Sequence, residues 1–97
     1  MPRQRYLTER AARPSTIGTG LPAIIAALVP LRREAMDAHD LCLIEQASAP
    51  NPGEMEELSQ SCAALVRELS TLLDQVKKCQ AIVEQIARVE ARLRESV

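Results

Sequence analysis

The sequence almost lacks aromatic residues: of its 97 residues none is Trp or Phe, and Tyr6 is the single tyrosine. Globular cores usually depend on several large rings, which are absent here. The apolar residues are mostly Leu, Ala, Ile and Val, and charged residues make up 26% of the chain. This composition is typical of long helices and coiled coils, and it predicts an all-α protein.

The sequence also lacks the patterns that support catalysis or cofactor binding. It has only three glycines and no glycine-rich phosphate loop. The only histidine, His39, has aspartate neighbours that would lie on other faces of a helix. Cys42, Cys62 and Cys79 are too widely spaced for a zinc site and odd in number for a disulfide framework. We therefore predict no enzymatic activity, no catalytic residue, no cofactor and no metal ion.

Long apolar runs and a strong basic charge are missing as well. The longest apolar run, residues 21–31, is far shorter than the roughly 20 residues of a membrane span. The net charge is −1, and the excess of basic residues is confined to the first 20. These features argue against a transmembrane segment and against nucleic acid as the main ligand. Reduced thiols favour a cytoplasmic protein, with a nuclear one as an alternative and a mitochondrial one disfavoured.

Proline and glycine divide the first half of the chain. Residues 1–20 show no sustained apolar period and are predicted to form a flexible basic arm. Residues 21–48 are predicted to be the first helical segment, with Pro22 in its first turn and a break or kink near Pro30. The apolar residues of this segment recur at alternating steps of four and three: Ile24, Leu28, Leu31, Ala35, Ala38 and Cys42.

Residues 49–53 form a predicted turn, because two prolines and a glycine cannot continue a helix. Asn51 is a candidate helix cap, with Glu54 placed to complete a capping box. From there to the C-terminus no proline or glycine follows, so residues 54–96 predict one long helix. The chain is thus expected to be a helical hairpin with a long C-terminal coiled-coil helix.

The long helix carries eight apolar residues at unbroken steps of three and four, here called the seam. They are Met55, Leu58, Cys62, Leu65, Leu69, Leu72, Val76 and Cys79. After Cys79 the phase shifts by a three-residue step, which locally overwinds a coiled coil, to a distal set. The distal set is Ile82, Ile86, Val89 and Leu93. Both sets are predicted to bind partner helices, because an isolated helix gains nothing from such a surface.

Two further features concern what covers the seam. Val66 and Leu73 widen the apolar sector, which favours a bundle of three or more helices. A first helix running from Pro30 to residue 48 would cover only roughly 28 Å, so the distal part of the seam is expected to stay bare. The cysteines of the seam, Cys62 and Cys79, are interpreted as small core residues.

The C-terminal run formed by Ile82, Ile86, Val89, Glu90 and Leu93 resembles the helical ends of small subunits in complexes that build or position lysosomes and lysosome-related organelles. The resemblance covers residues 73–93. It implies a cytosolic scaffold subunit within an elongated hetero-oligomer.

The leading hypothesis is a non-enzymatic subunit that contributes an amphipathic helix to a hetero-oligomeric coiled-coil assembly, such as a trafficking, tethering or kinetochore-type scaffold. An alternative is a small helical chaperone or regulator that masks a partner's amphipathic helix, as secretion chaperones do. A parallel homodimer is a third reading, and it predicts disulfide cross-linking between two copies of Cys62.

Overall fold

A computed structural model describes residues 2–13, 16–46, 48 and 50–96 of the chain, which form three helices. They are α1 over Pro2–Ala12, α2 over Ile17–Gln46 and α3 over Pro52–Glu95. The described residues include no strand, which confirms the all-α prediction. The molecule measures 72 × 17 × 15 Å, with a radius of gyration of 21.8 Å. A compact domain of about 100 residues has a radius near 13 Å, so this chain is a rod-shaped hairpin of α2 and α3.

Helix α2 has no break near Pro30, which corrects that half of the prediction, whereas the alternative of a kink stays a prediction. It runs without interruption for 30 residues, with Pro22 and Pro30 inside it. Both prolines are exposed, so water can solvate the carbonyl groups that lose their helical hydrogen bonds. Leu28 and Ala35, one on each side of Pro30, are buried and keep both halves of the helix against α3. At 1.5 Å per residue α2 is about 45 Å long, and it also extends into the predicted arm.

Helix α1 is the second correction, because residues 1–20 were expected to be an arm. The first helix has few apolar residues, so hydrophobic periodicity could not reveal it. Its charges are spaced to support a helix: Glu9 pairs with Arg5 at 3.1 Å and with Arg13 at 3.9 Å, each four residues away. Such exposed pairs add only a few tenths of a kcal/mol (about 0.3–0.5 each), so α1 also depends on its contact with α3.

Helix α3 begins two residues earlier than predicted and ends one residue earlier. Glu54 lies in its first turn, and Arg92 and Arg94 lie in its last. Both charge placements are favourable because negative charge interacts well with the N-terminal end of the helix dipole and positive charge with the C-terminal end. Of the predicted turn before it, Ala49 lies outside the described residues.

The capping box predicted at the start of α3 does not form. Asn51 makes no side-chain capping hydrogen bond. Its carbonyl instead accepts a hydrogen bond from the Met55 N–H at 3.2 Å, and Pro52 occupies the first helical position. Proline has no N–H to satisfy and a backbone angle already suited to a helix. The helix start therefore relies on Pro52 and on the acidic first turn.

The interface between α2 and α3 is built from residues that recur every seven positions along each helix. On α2 the buried residues are Leu28, Ala35 and Cys42; on α3, Ser59 and Leu73 are buried and Val66 between them is half-buried. The helices are antiparallel, and Ala35 lines the same groove as Leu69. This register places Leu28 near Val76, so α2 spans α3 well beyond its middle.

We predict that Leu73→Ala lowers the free energy of unfolding by about 2–5 kcal/mol, because Leu73 is 1% exposed and its loss leaves a cavity. The neighbouring Leu72→Ala is the matched control. Leu72 is 45% exposed, so we expect its truncation to cost under about 1 kcal/mol. Urea denaturation of both variants at one protein concentration measures the difference. Equal losses would place the intrachain interface elsewhere on α3.

Candidate partner-binding surface

The structure divides the predicted seam into two rows. Met55, Cys62, Leu69 and Val76 are half-buried against α2, whereas Leu58, Leu65, Leu72 and Cys79 are exposed. The leucines of the second row are 45–52% exposed. Helix α3 faces α2 through Leu73 and Val66, the residues that seemed only to widen the seam. The packing is thus rotated by about one residue from the predicted seam, and half of the seam stays open.

The sequence predicted that part of the seam stays bare because the first helix is too short to cover it. That reason is wrong, because the length of α2 is not what leaves the second row exposed. Helix α2 is long enough to run beside all of Leu58, Leu65 and Leu72 in the observed register. The row is bare because it lies to one side of the contact. One helix covers only part of the apolar sector of its neighbour, so rotation rather than reach leaves these leucines in solvent.

Helix α2 shows the same division of its apolar residues. Leu28, Ala35 and Cys42 are buried, but Ile24 and Leu31 are 46% and 50% exposed. Leu31 and Ala38 lie beside Leu65 and Leu69 in an open groove of about 400 Å³. Residues seven apart on a helix share a face, so the groove joins the bare rows of the two helices. We call this surface the exposed stripe: Ile24, Leu31, Leu58, Leu65, Leu72 and Cys79.

The other side of the hairpin differs in character. There α2 exposes Val29, Met36 and Leu43, but Val29 and Met36 line a groove together with charged side chains such as Arg33 and Asp37. The groove at Leu31 and Leu65 differs from this one, because residues of both α2 and α3 line it and Glu34 is its single charged lining residue.

The rim of the exposed stripe is acidic along the first half of α3. Glu54 and Glu68 stand four residues before Leu58 and Leu72 and are exposed, and Glu34 lines the groove from α2. Positions four apart on a helix are neighbours on its surface. A ligand that lies along the stripe therefore meets carboxylates beside the leucines.

The distal set continues the apolar surface towards the end of α3. Ile82, Ile86 and Val89 are exposed and Leu93 is half-buried. Together with Tyr6 of α1 they line an almost entirely apolar groove of about 360 Å³. Of the residues predicted to bind partners, the described structure thus leaves seven exposed and brings Met55, Cys62, Leu69, Val76 and Leu93 at least partly inside.

Helix α1 is held at this distal groove by one buried carboxylate, which sequence reasoning did not identify. Glu90 is 8% exposed, and its Oε2 accepts a hydrogen bond from the Tyr6 hydroxyl at 3.2 Å. Arg10 Nε lies 3.3 Å from the same oxygen. The ion pair and hydrogen bond satisfy a charge that burial would otherwise penalise. The contact joins residues 84 positions apart, so no local pattern could reveal it.

The three cysteines have different environments. Cys42 is buried, Cys62 is half-buried and Cys79 is exposed in the single chain, so a core role for Cys79 stays a prediction that requires a partner helix. Burial raises the pKa of the Cys42 thiol, and a side-chain hydrogen bond with Cys62 raises it further. These thiols lie on opposite helices and are in contact across the interface.

Among the described residues no group of His, Cys, Asp and Glu is arranged to hold a metal ion. No single described helix is long and apolar enough to cross a membrane. The segment Arg5–Ala12 with Ile17–Gln46, bent by 55°, meets those criteria of length and composition only as a broken pair.

Comparison of the chain with models of protein families, with curated proteins and with solved structures found no match.

We predict that Glu90→Ala releases α1 from α3, because Tyr6 and Arg10 both lose their acceptor. Loss of about 1–2 kcal/mol of local stability corresponds to roughly 5- to 30-fold faster exchange of the α1 amides. Hydrogen exchange read by mass spectrometry measures the effect, with Glu84→Ala, an exposed residue of the same helix, as the control. Unchanged exchange in the Glu90 variant would contradict the role assigned to this contact.

Proposed function

We propose that the chain is a non-enzymatic structural subunit that offers the exposed stripe to a helix of another protein within a multi-helix assembly. The observation that carries the proposal is the apolar groove at Leu31 and Leu65, to which both helices of the hairpin contribute. An amphipathic helix fits such a groove through residues at spacings of three, four and seven.

The balance of buried and exposed apolar side chains supports a shared core. Within the described residues four apolar side chains are buried, whereas fifteen large ones are exposed. Burying a half-exposed leucine contributes on the order of 1 kcal/mol, so covering the four leucines of the stripe and its isoleucine gives several kcal/mol. Monomeric proteins rarely leave so continuous an apolar surface in solvent.

The acidic rim favours a partner of different sequence over a second copy of this chain. Two copies packed in parallel along the stripe would bring Glu54 and Glu68 towards the same residues of the neighbour, and like charges at close range repel. A partner helix with lysine or arginine flanking its apolar row would gain attraction at the same positions. We therefore favour a hetero-oligomer, with the basic helix supplied in trans.

The cellular setting of this proposal follows the sequence. A cytoplasmic trafficking, tethering or kinetochore-type scaffold fits a rod of helices with an open side. The resemblance of the C-terminal run to small subunits of lysosome-related complexes would place the partners among other coiled-coil subunits.

A second candidate function is a helical chaperone or regulator that masks a client helix. The observation in its favour is that the apolar segment 21–31 of α2 exposes Ile24, Val29 and Leu31 beside the groove. A chaperone forms a stable free state and releases its client, whereas a structural subunit remains bound. Pulse-chase affinity purification distinguishes the two, because only a chaperone should exchange its bound protein during the chase.

We predict that Leu65→Asp combined with Leu72→Asp removes the partners recovered by affinity purification and mass spectrometry. A charge buried against a partner helix is strongly unfavourable, so binding should fall by more than about 100-fold. The matched control is Gln60→Asp with Thr71→Asp, which adds the same charge at exposed positions away from the stripe. Circular dichroism checks that both variants keep their helix content. Equal recovery of the same partners by both would contradict the proposed surface.

Light scattering and cross-linking of the purified chain test the homodimer reading. The structure places Cys62 against Cys42 and Cys79 in the exposed stripe, so two copies paired through the stripe would cross-link through Cys79. We expect little Cys79–Cys79 disulfide at micromolar concentration. If light scattering shows a monomer and that monomer unfolds cooperatively, an obligate partner is contradicted. Rapid formation of a Cys79–Cys79 disulfide would favour the homodimer.

A further inference from the structure

Cys42 and Cys62 form a pair of facing thiols in the interface of the hairpin. Cys42 projects from α2 and is buried, and Cys62 projects from α3 and is half-buried. The two thiols are near enough for Cys62 to contribute to the raised pKa of Cys42. Their spacing in the sequence did not indicate that they face each other, because that depends on the register of the two helices that the 49–53 turn connects.

The register of the two helices independently places these residues opposite each other. Ala35 and Leu69 line one groove across the interface. Seven residues are two turns of helix, so moving towards the turn on both helices leads from Ala35 to Cys42 and from Leu69 to Cys62. The axes of packed helices lie roughly 8–10 Å apart and each Cα lies about 2.3 Å from its axis, so the Cα atoms of facing core positions come as close as about 4–5 Å, which a disulfide bridges.

We propose that Cys42 and Cys62 are a redox modification site, at which a peroxide converts the two thiols into a disulfide that links α2 to α3. The Cys62 sulfur attacks the peroxide, forming a sulfenic acid and releasing water. The Cys42 sulfur then displaces that hydroxyl, forming the S–S bond and a second water molecule. In total two thiols and one hydrogen peroxide give one disulfide and two waters, and a cellular thiol reductant restores the pair.

The environments of the two thiols set the order of these steps. Cys62 is the more accessible, so an oxidant from solvent reaches it first. Cys42 is buried beside it and has a raised pKa, which disfavours its thiolate and makes it the slower of the two to react with peroxide. Its position next to Cys62 is what lets it displace the hydroxyl of the sulfenic acid. Cys79 lies on the exposed stripe and is not part of the proposed pair, so it serves as the internal control.

The disulfide would fix the face of α3 that turns towards α2. The disulfide would join α2 to α3 near the turn. Helix α3 could then not rotate to bring Leu58 and Leu65 into the intrachain interface. Oxidation is therefore expected to hold the exposed stripe open rather than to close it. The site does not depend on the proposed function, because it lies within the hairpin and not on the stripe.

The test is to treat the full-length chain with stoichiometric hydrogen peroxide, block free thiols and digest with a protease that cleaves after glutamate. Cleavage after Glu34 and Glu45 isolates the Cys42 peptide, and cleavage after Glu57 and Glu68 isolates that of Cys62. We expect the peptides 35–45 and 58–68 to be joined within one molecule, in a yield independent of protein concentration. Since the closed loop is about 20 residues long, the melting temperature should rise by roughly 10–20 °C.

Variants sharpen the result. Cys79→Ser should form the link as wild type does, and Cys42→Ala should instead accumulate a Cys62 sulfenic acid that a dimedone probe traps. Peroxide that oxidises Cys62 to sulfinic acid while Cys42 stays free to alkylation would overturn the proposal. Disulfides that form mainly between different molecules of the wild-type chain would also overturn it. That result uses only the wild-type chain, so it does not depend on whether any variant folds.

Discussion

The contact row of Leu28, Ala35 and Cys42 against the face of α3 that includes Leu73 sets the arrangement of the molecule. Each helix has an apolar sector wider than one neighbouring helix can cover. When the buried rows meet, Leu31 and Leu65 are left side by side in solvent. The intrachain core and the exposed stripe are therefore two parts of the same apolar sectors, divided by the rotation of each helix.

This division explains why apolar side chains of both helices stay exposed although the hairpin is folded. A two-helix rod has no interior beyond its single contact row, and Leu73 is the most deeply buried of its large described side chains. Further burial of these side chains would need another helix, and the proposed partner would add to the stability of the chain by supplying it. The carboxylates of Glu34 and Glu68 would favour a basic partner, since charge complementarity selects among helices with similar apolar rows.

The distal end obeys a different constraint. Glu90 lies among the residues of the distal set, and within this chain it is the anchor for α1. A carboxylate can be buried there because Tyr6 and Arg10 supply a donor and a positive charge. The neighbouring Ile82 and Ile86 remain exposed, so a ligand of the distal groove would contact α1 as well as α3.

Local sequence determined much of this protein: its helical class, the bounds of α3 to within two residues, and the apolar residues available for burial. These follow from Pro52, from the charge at the ends of α3 and from the spacing of the seam, which act over a few residues. Only the tertiary structure decided that α2 continues through Pro30, that Leu73 rather than Leu72 is buried, that Tyr6 reaches Glu90, and that Cys42 meets Cys62. Each of these depends on the rotation and register of one helix against another, and adjacent rows of similar leucines leave that choice to contacts between residues far apart in the chain.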